Sequence, residues 1–212
     1  MMEKLAKQTA KTISEALNYD EDKQAVIAYG LTALFQMITI AVAISVIGIL
    51  ANFWFEAMIL FVGVGLLRKS TGGAHAKTML GCTIISIFSI CAMSALCRYV
   101  LINIAPLHIL LPIFIILSGC CFFIAYRKVP IDSPNKPINR PEKITRLRKQ
   151  SFITIFLYIV ISIALLIASC YNIRMVSISS SFICALIWQT LTLTRLGSAF
   201  ISALDMPFNK FK

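Results

Sequence analysis

The residues most able to do chemistry lie in one short polar stretch between two apolar segments. Arg68 is followed by a diglycine, Gly72 and Gly73, then by His75 and, seven residues later, by Cys82. A thiol needs a base to take its proton before it can act as a nucleophile, and His75 is the only histidine nearby in the sequence. Cations and a helix N-terminus favour a thiolate. The pattern predicts a cysteine nucleophile with a histidine base.

The spacing of this pair constrains where the histidine lies. On one continuous helix, seven residues separate two side chains by about 10 Å along the axis, which exceeds the roughly 3 Å of a hydrogen bond. We therefore expect His75 to precede the regular helix that carries Cys82, on a segment folded back over its first turn. Gly72 and Gly73 can adopt the backbone angles that such a fold needs. Ser70 is an alternative nucleophile for the same histidine.

These residues also have plainer interpretations. A single cysteine at the start of a membrane helix is commonly inert, and a single histidine at a membrane boundary is commonly structural. None of the seven cysteines has CxxC or Cys/His metal spacing, so the sequence predicts no disulfide framework, no metal site and no cofactor.

Three further polar residues fall in or beside apolar segments. Glu56 is an intramembrane acid, which is a functional hypothesis by default, although a position near the outer end of a short segment also fits interfacial exposure. Arg98 can extend to the outer surface. His108 is expected near the outer surface, far from the proposed site.

The composition indicates a membrane protein. The 212 residues are 58% hydrophobic and 14% charged, whereas soluble domains are about 45–50% apolar and about 25% charged. The net charge of +11 would suggest nucleic acid in a soluble protein, but the basic residues lie between apolar stretches and not along one face. We expect one all-α membrane domain over residues 1–212 and no nucleic-acid partner.

Six hydrophobic segments are long enough, or nearly so, to cross a bilayer, which takes about 20 residues. The second is short and contains Glu56, so a re-entrant hairpin or a tilted half-span is the alternative for it. The expected segments are about 25–50, 51–67, 78–102, 106–126, 151–171 and 176–194.

The positions of the basic residues predict the topology. With the N-terminus in the cytoplasm, all but two of the 20 Lys and Arg residues fall on the cytoplasmic side, as the positive-inside rule requires. The exceptions are Arg98 and Arg174. This places both termini and the polar stretch around His75 at the cytoplasmic face of a multi-pass protein.

Two polar regions flank the apolar segments. The arm 1–24 has the pattern of an amphipathic helix lying on the inner leaflet, with a solvated tail as the alternative. The loop 127–150 contains several prolines, which predict an extended chain. From Glu142 to Gln150 the pattern permits a helix that leads into the fifth segment.

These features resemble the AgrB family, the accessory gene regulator proteases of Gram-positive bacteria that process peptides. The first matching block consists of Arg68, Gly72-Gly73-Ala74-His75 and Cys82, and the second is Pro130–Pro137, followed by a basic run. The size and the six hydrophobic segments also agree, so the resemblance covers nearly the whole chain.

The resemblance implies a cysteine endopeptidase of the cell membrane. His75 and Cys82 would be the catalytic dyad, with Arg68, Gly72 and Gly73 in supporting roles. The implied substrate is a short AgrD-like propeptide with an amphipathic leader, a central cysteine and a charged tail. The implied product is a thiolactone signal for quorum sensing. A homodimer is also implied. The candidate substrate contacts are Lys128, Asp132 and Lys136.

Two rival functions remain open at this stage. A transporter or peptide exporter would show inverted repeats and polar residues near the membrane midplane, and neither pattern is evident. A structural membrane protein without chemistry leaves the cluster of diglycine, histidine and cysteine unexplained.

Overall fold

The computed structural model describes residues 2–76, 78–104, 106–131 and 141–211, and this part of the chain is helical without a strand. Eight α-helices of more than one turn follow one another in this part; a π-helical segment, Leu96–Leu101, and a single turn, Ile102–Ile104, continue α4, and a 3-10 helix, Met206–Phe211, follows α8. The helices are α1 Met2–Ala16, α2 Glu21–Leu50, α3 Trp54–Thr71, α4 Met79–Ala95, α5 Leu107–Lys128, α6 Pro141–Ala168, α7 Arg174–Thr192 and α8 Arg195–Asp205.

The predicted all-α membrane bundle is confirmed. Five stretches of the described chain are long and apolar enough to cross a membrane, namely α2, α4 with its π-helical continuation, α5, α6 and α7. The predicted second segment is α3, a single uninterrupted helix of 18 residues, which excludes a re-entrant hairpin. At about 1.5 Å per residue it is roughly 27 Å long. The helix expected from Glu142 to Gln150 is also present, as the first turns of α6.

The chain divides into two compact units, Met1–Ala43 and Ile44–Lys212. The first contains α1, which confirms the expected helix in the N-terminal arm. A ridge of small residues at every fourth position of α1 is buried, Ala6, Ala10 and Ser14, while Leu5 is exposed. One unit over residues 1–212 stays a prediction.

The second unit is organised around α7, which packs on α3 and α6. Small hydroxylated side chains allow these helices to approach closely, a common solution where lipid removes the hydrophobic drive for helix association. The Ser179 hydroxyl donates to the Ser162 carbonyl oxygen at 2.6 Å, and the Tyr158 hydroxyl donates to the Gly63 carbonyl oxygen at 3.1 Å. These bonds connect α7 to α6 and α6 to α3.

The π-helical segment turns two side chains toward partners on other helices. A π-helix carries one extra residue per turn, so it rotates the residues that it contains relative to an α-helix. Cys97 lies with its sulfur 3.6 Å from the sulfur of Cys184 on α7. Arg98 forms an ion pair of 3.8 Å with Glu56, whose carboxylate also accepts a hydrogen bond from Ser177. Glu56 is 4% exposed, so it is a buried partner of Arg98 and not an interfacial acid.

Helix α8, in the second unit, was not predicted from the sequence. The sixth apolar segment was expected to end near residue 194, but the chain turns there and forms α8. Gly197, Ile201 and Asp205 make its buried ridge, and Leu196 and Phe200 are exposed beside that ridge. An amphipathic helix of this kind suits the boundary between a bundle, lipid and water.

The Glu56–Arg98 pair yields a prediction about stability. Glu56→Leu leaves the half-buried Arg98 guanidinium without its counter-charge, so we expect it to lower the free energy of unfolding by about 3 kcal/mol. The double variant Glu56→Leu with Arg98→Met removes both charges and should recover most of this loss. Thermal unfolding in detergent measures both effects, and equal losses in the single and double variants would contradict the pairing.

Candidate functional site

The diglycine forms a tight turn at the end of α3. Gly72 and Gly73 both have positive φ angles, 72° and 134°, where residues with a Cβ are strained. Space is also restricted. A Cβ on Gly72 would collide with the carbonyl oxygen of Ile131, and one on Gly73 would lie 2.6 Å from Thr192 Oγ1. The sequence predicted a sharp change of chain direction at the diglycine. Thr192 on α7 and Ile131 after α5 leave no room for a side chain at this turn, so both positions require glycine.

Residues of α7 hold this turn by hydrogen bonds. The buried Gln189 amide donates through Nε2 to Thr71 Oγ1 at 2.7 Å and to the Gly72 carbonyl oxygen at 2.6 Å. The backbone N–H of Ala74 donates to the Thr192 carbonyl oxygen at 3.0 Å. Because α7 is the most enclosed of the membrane helices, these contacts fix the start of the α3–α4 connection on a rigid support.

Arg68 lies at the centre of the polar cluster. Its guanidinium donates from Nη2 to the Ala74 carbonyl oxygen, and its Nε is buried without a hydrogen-bond partner among the described residues. Its positive charge interacts with both the Cys82 thiol and the His75 imidazole. One half-buried cation therefore acts on both members of the predicted dyad.

His75 lies outside any helix, in the connection between α3 and α4, as the spacing argument required. Its ring reaches the surface, yet the surrounding protein disfavours its charged form. Partial shielding of the ring from water by that protein, followed by the positive charge of Arg68, lowers the pKa of His75 to about 4. The imidazole is consequently neutral near pH 7 and can accept a proton.

Cys82 occupies the first turn of α4, also as expected. The helix begins after Thr78, whose Oγ1 accepts a hydrogen bond from the N–H of Gly81 at 3.0 Å. The N–H of Cys82 donates to the Thr78 carbonyl oxygen at 2.9 Å, and the Cys82 side chain is half-buried. Among the residues described, no hydrogen bond joins the His75 ring to the Cys82 sulfur. A direct approach of the two groups stays a prediction.

Three residues around the site were not predicted from the sequence. Asp205 accepts hydrogen bonds from Thr78, while Gln189 and Thr192 hold the diglycine turn. Two signals were present in the sequence. Gln189 is a polar residue inside an apolar run, which is expensive in a membrane and so indicates a function. Asp205 is the only acid that follows Glu142.

The other sequence candidates fall in different places. Lys128 is exposed at the end of α5. Asp132 and Lys136 lie outside the described residues, so their predicted substrate contacts stay predictions. The alternative nucleophile Ser70 is buried and donates to the Leu67 carbonyl oxygen at 3.2 Å, which engages its hydroxyl within α3.

Comparisons with known proteins identify the family of the chain. The family model of Accessory gene regulator B matches residues 6–193. An AgrB-like protein of Clostridium perfringens strain SM101 is 32% identical over 99% of both chains. AgrB-like protein 2 of Clostridium perfringens strain 13 is 30% identical over 99% of both chains. No solved structure gives a significant match.

The packing of the diglycine predicts the effect of one added methyl group. Gly73→Ala should lower the free energy of unfolding by about 2 kcal/mol, because the new Cβ meets Thr192 at a positive φ angle. Gly65→Ala is the matched control, since a Cβ at this helical position meets nothing within 4 Å. It should be neutral or slightly stabilising. Thermal unfolding of both variants tests the difference, and equal unfolding temperatures would contradict it.

The environment of His75 predicts its titration. Burial and Arg68 both disfavour the protonated ring, so its midpoint should lie near pH 4 and not near 6.5. His108→Gln leaves His75 as the only histidine, which permits its assignment by NMR in detergent. Adding Arg68→Gln to this variant removes the neighbouring positive charge and should raise the midpoint. A midpoint near 6.5 with Arg68 present would contradict the described environment.

Proposed function

The chain belongs to the accessory gene regulator B family, and from this premise we propose that it is a membrane-embedded cysteine endopeptidase. Its substrate would be a small AgrD-like propeptide, from which it removes the C-terminal tail before the remainder closes into a thiolactone signal. The observation that carries the proposal is the turn after α3, where Arg68 donates to the carbonyl oxygen of Ala74, next to His75, shortly before Cys82 in the first turn of α4.

The first step is the activation of the thiol. A neutral His75 takes the proton of Cys82, and the sulfur attacks the carbonyl carbon of the peptide bond that precedes the tail. The guanidinium of Arg68 and the N-terminus of α4 both favour the sulfur anion as it forms. With a pKa lowered to about 4, the resting His75 carries no proton and is a weaker base than a free imidazole, so it takes the thiol proton as the sulfur attacks and no ion pair precedes the attack.

The charge on the carbonyl oxygen then needs a hydrogen-bond donor. The N–H groups of Gly81 and Cys82 already donate to Thr78, so these parts of the helix start are engaged. Arg68 Nε is buried and unpartnered among the described residues. We therefore assign the oxyanion contact to Arg68, which would find its missing acceptor in the tetrahedral intermediate.

Collapse of this intermediate breaks the peptide bond. The tail leaves as an amine that takes the proton from His75, and an acyl-enzyme thioester remains on Cys82. The cysteine of the propeptide then gives its thiol proton to His75 and attacks the thioester carbonyl, and Cys82 leaves as a thiolate that takes this proton back. One thioester replaces another, so the ring closes without ATP. Water must be kept from the thioester during this exchange.

Basic residues at the end of α5 and the start of α6 would attract a propeptide with an acidic tail. Arg127 and Lys128 end α5, and further basic residues lie on the first turns of α6, namely Lys143, Arg146, Arg148 and Lys149. The same charges also satisfy the positive-inside rule, so they serve topology as well as attraction. We place this face in the cytoplasm of a Gram-positive cell, with the enzyme as a homodimer in the bilayer.

Co-expression with the propeptide tests the proposal. Cys82→Ala and His75→Ala should each abolish tail release, a loss of at least about 10³-fold, while the protein still inserts in the membrane. Cys91→Ala, on the same helix, is the matched control and should retain release. Mass spectrometry of the peptide measures the products. Retained cleavage in Cys82→Ala would exclude this mechanism, and uptake or export without cleavage would favour the transporter alternative.

A further inference from the structure

We propose that Asp205, on α8, is a positioning residue that holds the start of α4, and with it Cys82, in the reactive arrangement. The proposal rests on the proposed function for its catalytic readout. It extends the site to a helix that lies beyond residues 6–193, the part that the family model matches.

The contacts of Asp205 lead directly to the nucleophile. Its carboxylate is 1% exposed and accepts hydrogen bonds from both the backbone N–H of Thr78, at 3.1 Å, and the Thr78 hydroxyl. Thr78 in turn accepts from the N–H of Gly81 and from the N–H of Cys82. Two successive sets of hydrogen bonds therefore connect the carboxylate to the backbone of the nucleophile.

The packing at Gly81 shows how closely the carboxylate lies against the first turn of α4. A Cβ on Gly81 would collide with Asp205 Oδ1 and lie 2.6 Å from Thr78 Oγ1. A threonine alone is sufficient as a helix N-cap. The additional carboxylate fixes Thr78 itself, and it does so although a negative charge near a developing thiolate is electrostatically unfavourable. We therefore assign to Asp205 the placement of the start of α4.

Helices α7 and α8 are consecutive in the chain, and both contact the α3–α4 connection. Thr192, near the end of α7, accepts the backbone hydrogen bond of Ala74, and Asp205, at the end of α8, holds Thr78. These contacts lie on either side of His75 in the sequence. One stretch, residues 189–205, thereby holds the α3–α4 connection before and after His75.

The membrane boundary supports the placement of α8. Its buried ridge ends in Asp205, while the adjacent exposed ridge includes Leu196 and Phe200, which are 80% and 49% exposed. Ser198 and Ser202 lie on the remaining side. Lipid against the apolar ridge and water against the serines would keep the buried ridge on the bundle.

Three variants test the role of Asp205. Asp205→Ala removes both acceptors, Asp205→Asn keeps one oxygen acceptor, and Ser202→Ala alters an exposed residue of the same helix. Hydrogen exchange of the Thr78, Gly81 and Cys82 amides is measured first, on full-length protein in lipid nanodiscs without substrate. Asp205→Ala should accelerate it about tenfold, and Ser202→Ala should leave it unchanged. Wild-type exchange in Asp205→Ala would overturn the proposal.

Tail release from the propeptide is measured second. Asp205→Ala should lower kcat about tenfold at an unchanged KM, because substrate binding is intact while the nucleophile is displaced. Asp205→Asn should restore most of kcat. An unchanged kcat in Asp205→Ala, or an equal loss in the asparagine variant, would overturn the role in positioning.

The two measurements separate this proposal from the proposed function. Absence of tail release in the wild-type protein would refute the peptidase, whereas the exchange result does not depend on the peptide. If Asp205→Ala does not accumulate in membranes, Asp205→Glu replaces it. The glutamate keeps the charge but moves the carboxylate by one methylene, so kcat should fall at an unchanged KM, and a wild-type kcat would overturn the proposal.

Discussion

The site depends on the half-buried positive charge of Arg68 near the end of α3. Arg68 needs acceptors in a position with little water, and the chain supplies one by turning back at once, so that the Ala74 carbonyl oxygen meets the guanidinium. The diglycine makes this reversal possible because both residues adopt positive φ angles. The reversal also places His75 where partial burial of its ring and, second, the charge of Arg68 lower its pKa and keep it neutral. The diglycine turn, the position of His75 and its neutral state are therefore all linked to the need of Arg68 for a hydrogen-bond acceptor.

The two ends of α3 differ in how their charged residues find partners. Near one end of α3, Glu56 neutralises Arg98 and receives a hydrogen bond from Ser177, so the charges there are paired internally. At the other end, Arg68 retains a buried Nε without a partner among the described residues. A buried donor without an acceptor is costly in a folded protein. A cost of this kind is tolerable where a reaction supplies the acceptor.

The local features of the fold and of the site could be predicted from the sequence, and the distant ones could not. The apolar segments, the diglycine turn and the positions of His75 and Cys82 relative to α4 depend on neighbouring residues. Gln189 meets Thr71 across 118 residues and Asp205 meets Thr78 across 127, and no spacing rule reaches so far. Helix α8 was not predicted because it is amphipathic and short, whereas a membrane span is indicated by a long apolar run. The π-helical segment has no simple sequence signature either.

The distance along the chain between the two halves of the site has a consequence for biogenesis. His75 and Cys82, the proposed base and nucleophile, are synthesised well before residues 189–205, at an interval of roughly 6–25 s when ribosomes add about 5–20 residues each second. During that interval the polar connection has neither Gln189 nor Asp205 to hold it. Reactivity would thus arise only late in translation, after most spans have entered the bilayer, and a half-made chain would carry a dormant thiol.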